Sequence, residues 1–249
     1  MRKGPCVAKR FYHYGISVLL VQALLACSPQ SPDNQAVRDG AGAGANATGV
    51  ANTAAPVEEA RLVVAFGDSL YAGYNLGARE GFAPVLERAL AENGIAVDVV
   101  NAGVSGDTTA AGRQRLAFTL DGLSRKPDLV IVGLGGNDML RGLEPKETRA
   151  NLDAILAELK ARDIPAMLTG MMSAPNMGSD YAGAFDSIFP DLAGKYDVPL
   201  YPFFLEGAIG QRTLMLPDGI HPNQEGVKAI VARVAPIVAE TLETQQDSQ

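Results

Sequence analysis

Leu62-Val63-Val64-Ala65-Phe66-Gly67-Asp68-Ser69-Leu70 decides the fold of this 249-residue chain. An apolar run, 62–66, reads as a strand that opens directly onto a glycine, a carboxylate and a hydroxyl. The same arrangement recurs downstream. Short apolar, β-branched runs at 61–66, 97–101, 128–133, 166–170 and 198–201 read as five strands. Leu129-Val130-Ile131-Val132 is apolar on both faces, as a central parallel strand must be.

Helical patterns fill the gaps. Residues 84–93 form a helix capped by Gly94. Residues 147–162 place Leu152, Ile155, Leu156 and Leu159 on one face. A helix over 181–196 is expected to be interrupted at Pro190, and one over 227–242 to be kinked at Pro236. Pro222 suits the first turn of that last helix. Alternating strands and helices predict an α/β fold: three layers, α/β/α, around a parallel, flavodoxin-like five-stranded sheet. Ligands bind such a sheet at the C-terminal ends of its strands. Every polar motif falls there: Gly67-Asp68-Ser69 after the first strand, Ser105-Gly106-Asp107 after the second, and Gly135-Gly136-Asn137-Asp138 after the third. Asp218-Gly219-Ile220-His221 lies beyond the fifth.

Residues 1–27 read as an export signal. Arg2, Lys3, Lys9 and Arg10 precede an apolar stretch over 16–26, too short for a bilayer span, which takes roughly 20 residues. Leu24-Leu25-Ala26-Cys27 resembles the bacterial lipobox, which makes Cys27 the expected lipidation site. Ser28 after it favours the outer membrane, so the expected location is the periplasmic side of the cell envelope. Cys6 and Cys27 are the only cysteines, so the processed chain has no disulfide. Residues 28–60 offer only Val37, Val50 and Val57 as large apolar side chains and read as a disordered tether. The folded domain is expected over 61–244, with a disordered tail at 245–249. Losing the leader's four basic residues leaves 17 basic against 28 acidic side chains, a formal balance of −11. That excludes nucleic-acid binding through a basic surface.

Serine is a weak nucleophile until a positioned base takes its proton. The chain has two histidines, and His13 lies in the leader, so His221 is the base available to Ser69. Asp218 precedes it by three residues. Taken singly, each residue has a plainer role. Ser69 can cap a helix, Gly106 and Gly135-Gly136 can be turn glycines, and Asn137 and Asp218 can be loop residues. Asp68 can hold the turn through backbone hydrogen bonds, without a catalytic role. There is no His-Glu-x-x-His zinc motif, no P-loop and no Gly-x-Ser-x-Gly elbow. No metal and no cofactor are expected.

Taken together and in order, the blocks resemble the SGNH (GDSL) hydrolase superfamily. They are most similar to its bacterial periplasmic thioesterase, arylesterase and lysophospholipase group. The resemblance implies a Ser69–His221–Asp218 triad and an oxyanion hole of the Ser69 and Gly106 backbone N–H groups and the Asn137 side chain. It implies hydrolysis of small acyl esters, thioesters and lysophospholipids through an acyl-enzyme. A monomer is expected, joined to the membrane through the lipid on Cys27. Met139, Leu140 and Leu143, with Pro175 and Met177, are expected to line an apolar acyl pocket, methionine being adaptable in shape. Met171 is expected in the core. Two alternatives stay open at this point: an acetyl-esterase of envelope polysaccharide, and a non-catalytic flavodoxin-like binding module.

Overall fold

The computed structural model describes residues 60–246. The export signal, Cys27, the tether up to residue 59 and residues 247–249 of the tail lie outside the described residues. Five strands form the sheet: β1 Arg61–Gly67, β2 Val97–Gly103, β3 Leu129–Gly133, β4 Ala166–Thr169 and β5 Leu200–Tyr201. They pair in the order β2-β1-β3-β4-β5, all parallel. This is the flavodoxin-like arrangement, and its strand order reverses at β1 and β3. Both strands are buried almost throughout, which is why they read as unbroken apolar runs.

Among the described residues, eight α-helices connect and flank the strands: α1 Ser69–Ala72, α2 Phe82–Glu92, α3 Thr109–Asp121, α4 Gly136–Leu140, α5 Pro145–Ala161, α6 Ser179–Asp186, α7 Ile188–Tyr196 and α8 Gln224–Gln246. α2 packs on α8 on one face of the sheet, while α5 packs on α3 and α7 on the other. No helix among the described residues is long and apolar enough to cross a membrane.

Several local expectations are corrected. The break in the 181–196 region falls at Ser187, between α6 and α7. Pro190 sits in the first turn of α7, where a missing N–H costs nothing. α8 begins at Gln224, so Pro222 precedes it and instead pairs with Met215 in an isolated antiparallel bridge. α8 contains Pro236 and runs past the expected end at 242 to Gln246. α2 ends one residue early, with Asn93 as its cap and Gly94 following at positive φ. α3 was not expected. Its buried residues are Thr109, Gly112, Leu116 and Leu120, and two of those four are not apolar, so no stripe shows in the sequence.

The strand ends share one feature that positions everything above them. Gly67 lies beside Gly103 on one side and Gly133 on the other, making a row of glycines across three adjacent strands. α1 lies directly on this row. A Cβ at Gly67 or Gly133 would run into the Tyr71 ring, and one at Gly103 into the backbone of Tyr71 and Ala72. The Tyr71 hydroxyl shares a 2.7 Å hydrogen bond with Thr169 Oγ1, tying α1 to β4 as well. The ring also packs on Phe82 and Phe204, with centroids 4.8 and 5.0 Å away.

Gly133→Ala should therefore lift Tyr71 and α1 off the sheet. It should cost roughly 1–3 kcal/mol in urea denaturation, the usual range for overpacking. Gly183→Ala on α6, where an added Cβ meets nothing, should instead stabilise the fold by about 0.5–1 kcal/mol. Equal effects from the two substitutions would show that the row has no steric role.

Candidate active site

Ser69 is the first residue of α1, at the C-terminal end of β1. It is not the helix cap. That place is taken by Asp68, whose Oδ1 accepts the Leu70 N–H at 3.0 Å. Ser69 Oγ is therefore free to meet His221 Nε2, 2.9 Å away and 152 residues later in the chain. His221 Nδ1 lies 2.7 Å from Asp218 Oδ2. The other carboxylate oxygen, Oδ1, accepts the backbone N–H groups of Ile220 at 2.9 Å and His221 at 3.0 Å. The carboxylate and the ring it faces thus belong to one turn. The Tyr74 ring lies against the imidazole with centroids 4.4 Å apart. Tyr74 went unnoticed in the sequence, since no spacing rule points five residues past a serine.

Gly106 and Asn137 reach the same place from β2 and β3. Gly106 has φ of 86°, a conformation that side chains other than glycine rarely adopt. Its loop is pinned from two sides. Arg141 donates to the Gly106 carbonyl at 2.7 Å. Arg115 of α3 pairs with Asp107 at 2.6 Å and donates to the Gly67 carbonyl at 2.9 Å. Neither arginine stood out in the sequence. The backbone N–H groups of Ser69 and Gly106 donate to no protein atom among the described residues. The Asn137 amide donates to Asp68 Oδ2 at 3.2 Å, leaving its second proton unpaired. Asp138 anchors α4 from beneath, its carboxylate accepting from Thr109 N–H at 2.8 Å, Thr109 Oγ1 at 2.5 Å and Thr148 Oγ1 at 3.2 Å.

A cavity of about 590 Å³ opens over these groups, lined by Ser69, Ser105, Gly106, Asn137 and His221. Asp68 and Ser173 also reach it, but most of the remaining wall is apolar and includes Leu70, Met139, Leu140, Met172 and Pro175. Met171, expected in the core, is buried and lines the cavity as well. Leu143 and Met177 are not in the wall. The Leu143 carbonyl accepts from the Tyr181 hydroxyl at 3.0 Å, and Met177 packs against the core from a 3-10 turn. Phe203, Leu205, Ile209 and Ile220 take the places left, from the segments that follow β5. Among the described residues, no group of three or more His, Cys, Asp or Glu is placed to hold a metal ion.

Two carboxylates at the site have opposite electrostatic fates. Burial pushes Asp68 up to about 6, against the pull of the Leu70 N–H, His221 and Asn137. Desolvation also opposes ionisation of Asp218, but the N–H groups of His221 and Ile220 and the imidazole outweigh it and hold that carboxyl at about 2. One is an anion kept in the protein interior at a cost. The other is an anion made secure by donors.

A nucleophile, a base and a carboxylate in one hydrogen-bonded line, facing unpaired donors at the switch point of a parallel sheet, define a serine hydrolase. Residues 65–229 match the GDSL-like Lipase/Acylhydrolase family, and the chain belongs to it. An arylesterase of Vibrio mimicus is 39% identical over 184 residues, 74% of this chain and 90% of that one. Thioesterase 1/protease 1/lysophospholipase L1 of Escherichia coli K12 is 39% identical over 166 residues, 67% of this chain and 77% of that one. The crystal structure of AlinE4, an SGNH-hydrolase family esterase, is 51% identical and superimposes with a TM-score of 0.64, covering 74% of this chain and 97% of its own. The protein is an enzyme, a carboxylic ester hydrolase of SGNH type.

The buried Asp68 predicts a pH effect on stability. Its folded pKa lies above the unfolded 3.8, so folding is least penalised below 3.8, and the penalty grows as pH rises through about 6. The difference is worth roughly 3 kcal/mol at most. Between about pH 7.5 and about pH 5, wild type should gain stability relative to Asp68→Asn in chemical denaturation. Parallel stability curves for the two proteins would contradict the assignment.

Proposed function

We propose that Ser69 is the nucleophile, His221 the general base and Asp218 the carboxylate that orients and stabilises the imidazolium. The observation that carries this is the unbroken line from Asp218 Oδ2 through His221 to Ser69 Oγ, open on one side to an apolar cavity. Ser69 Oγ attacks the acyl carbonyl while His221 Nε2 takes its proton. The new oxyanion is met by the Ser69 and Gly106 N–H groups and the free Asn137 N–H. Collapse breaks the bond to the leaving alcohol or thiol, which departs with the proton from His221. Water then repeats the sequence on the acyl-enzyme and restores Ser69. One chain supplies every group, so the reaction needs only a monomer.

The substrate class follows from the walls. A cavity of about 590 Å³ with a mostly apolar wall fits an acyl chain better than an acetyl group on a glycan, which would favour a shallow polar site. Tyr74, Leu140, Met172, Ile209 and Ile220 are exposed large apolar residues at the mouth of the same cavity. Together they suit an amphiphilic acyl ester or thioester, such as an aryl ester or a lysophospholipid. The names of the arylesterase and lysophospholipase relatives support this range. The proposed setting is the periplasmic face of the envelope, with the domain held to the outer membrane through lipid on Cys27.

Ser69→Ala and His221→Ala should each remove nearly all hydrolysis of p-nitrophenyl esters, and the double variant should be little slower than either. A fluorophosphonate should add one adduct, at Ser69, by intact mass. Full turnover by a folded Ser69→Ala protein would end the proposal. Medium-chain esters should exceed acetate in kcat/KM, each methylene adding up to ~0.8 kcal/mol until the cavity ends. A steady decline from acetate upward would instead favour the acetyl-esterase.

Cys27→Ser should abolish lipidation and leave an unprocessed precursor in membrane fractions. Normal cleavage of that variant would remove the anchor from the proposal.

A further inference from the structure

Asp68 has two carboxylate oxygens, and each holds a different part of the site. Oδ1 caps α1 through Leu70. Oδ2 accepts from Asn137 Nδ2 at 3.2 Å, across 69 residues of sequence. The side chain is buried, at 3% exposure, next to the nucleophile in sequence, and borders the same cavity. We propose that Asp68 is a positioning residue for the oxyanion site: its Oδ2 fixes the Asn137 amide so that the NH₂ end, and not the carbonyl, faces the reacting oxygen. This rests on Asn137 serving as the third oxyanion donor, as proposed above.

The reasoning is one of polarity. The two ends of an amide have nearly the same shape and opposite hydrogen-bonding character, so packing alone does not choose between them. An ionised carboxylate is an acceptor only. It is satisfied by the NH₂ end and repels the carbonyl end. One Asn137 proton is spent on Asp68, and the geometry of the NH₂ group directs the other elsewhere. No protein acceptor takes it among the described residues, and Asn137 lines the cavity together with Ser69 and Gly106. With its carboxyl raised only to about 6, Asp68 remains an anion at neutral pH, where this selection operates.

The substitution that reverses the polarity is Asp68→Asn. The Leu70 N–H requires an acceptor, so the new amide must present its oxygen there and its NH₂ to Asn137. Asn137 then turns over and aims its carbonyl at the oxyanion. In Asp68→Asn, kcat for a p-nitrophenyl ester at neutral pH should fall at least as far as in Asn137→Ala, about 10²-fold, with KM changed less than about threefold. The double variant Asp68→Asn/Asn137→Ala should be no slower than Asn137→Ala alone, because the partner of Oδ2 is then gone while the new amide oxygen still caps Leu70. A merely structural role would multiply the two losses. Asp68→Ser keeps a capping oxygen for Leu70 and lacks the reach to Asn137, so it serves if Asp68→Asn does not fold. Its smaller loss should likewise vanish in the Asn137→Ala background. If Asn137→Ala is slow while Asp68→Asn keeps wild-type kcat, or if the losses multiply, this inference fails and the oxyanion assignment stands. If Asn137→Ala itself keeps wild-type kcat, both fail.

Discussion

The contact between α1 and the row formed by Gly67, Gly103 and Gly133 is the constraint from which the site follows. A parallel sheet normally ends in side chains that keep the next helix at a distance. Here three adjacent strands end without side chains, and a four-residue helix drops onto the edge itself. Tyr71 fills the space the missing side chains leave, and its hydroxyl reaches Thr169 on the next strand. Ser69 is consequently held at one height above the sheet, in register with the turns that carry Gly106 and Asn137. Packing fixes the position of the nucleophile, and the hydrogen bonds only refine it.

Around that fixed point the electrostatics divide into two regions. Behind Ser69 lies a buried carboxylate with few donors. In front lies an accessible one with three, all from its own turn. The contrast shows that residue type alone does not assign a role. Asp68 and Asp218 are the same side chain, and solvent access and hydrogen-bond count give them opposite properties. The buried anion destabilises the fold modestly at neutral pH, as polar groups at functional sites often do.

Much of this was legible in the sequence, for definite reasons. β1 and β3 are buried on both faces, so their composition announced them, and every motif fell at the strand ends. The order Ser69, Gly106, Asn137, Asp218, His221 carried the family likeness because each block is short and stiff. What stayed hidden depends on tertiary context. α3 buries a threonine and a glycine, the latter because a Cβ at Gly112 would collide with Leu134, so no apolar period marks it. Pro190 and Pro222 were misplaced because proline restricts a position without saying which side of a helix boundary it occupies. Leu143 and Met177 are apolar and near the right motifs in sequence, yet neither lines the cavity, and Met177 packs against the core instead. Ile209 and Ile220 are isolated large apolar residues beside glycines, with no period to mark them, and line the pocket only through the path of the chain after β5.

That loop has a consequence for how the enzyme ages under heat. Residues 213–223 close on themselves: Asn223 N–H bonds to the Leu214 carbonyl, its side chain to the Thr213 carbonyl, and Leu216 N–H to the His221 carbonyl. Asp218 and His221 travel with this closed unit, joined to the nucleophile by one side-chain hydrogen bond and the Tyr74 ring. The sheet and α1 share no such weakness. Met215 and Pro222 root the unit in the interior, while its tip at 217–220 is exposed, and exposed segments open at lower free energy than core strands. The tip that carries Asp218 and His221 can therefore come away from Ser69 while β1, β3 and the glycine row beneath α1 stay packed, and turnover should fade on warming before the sheet melts.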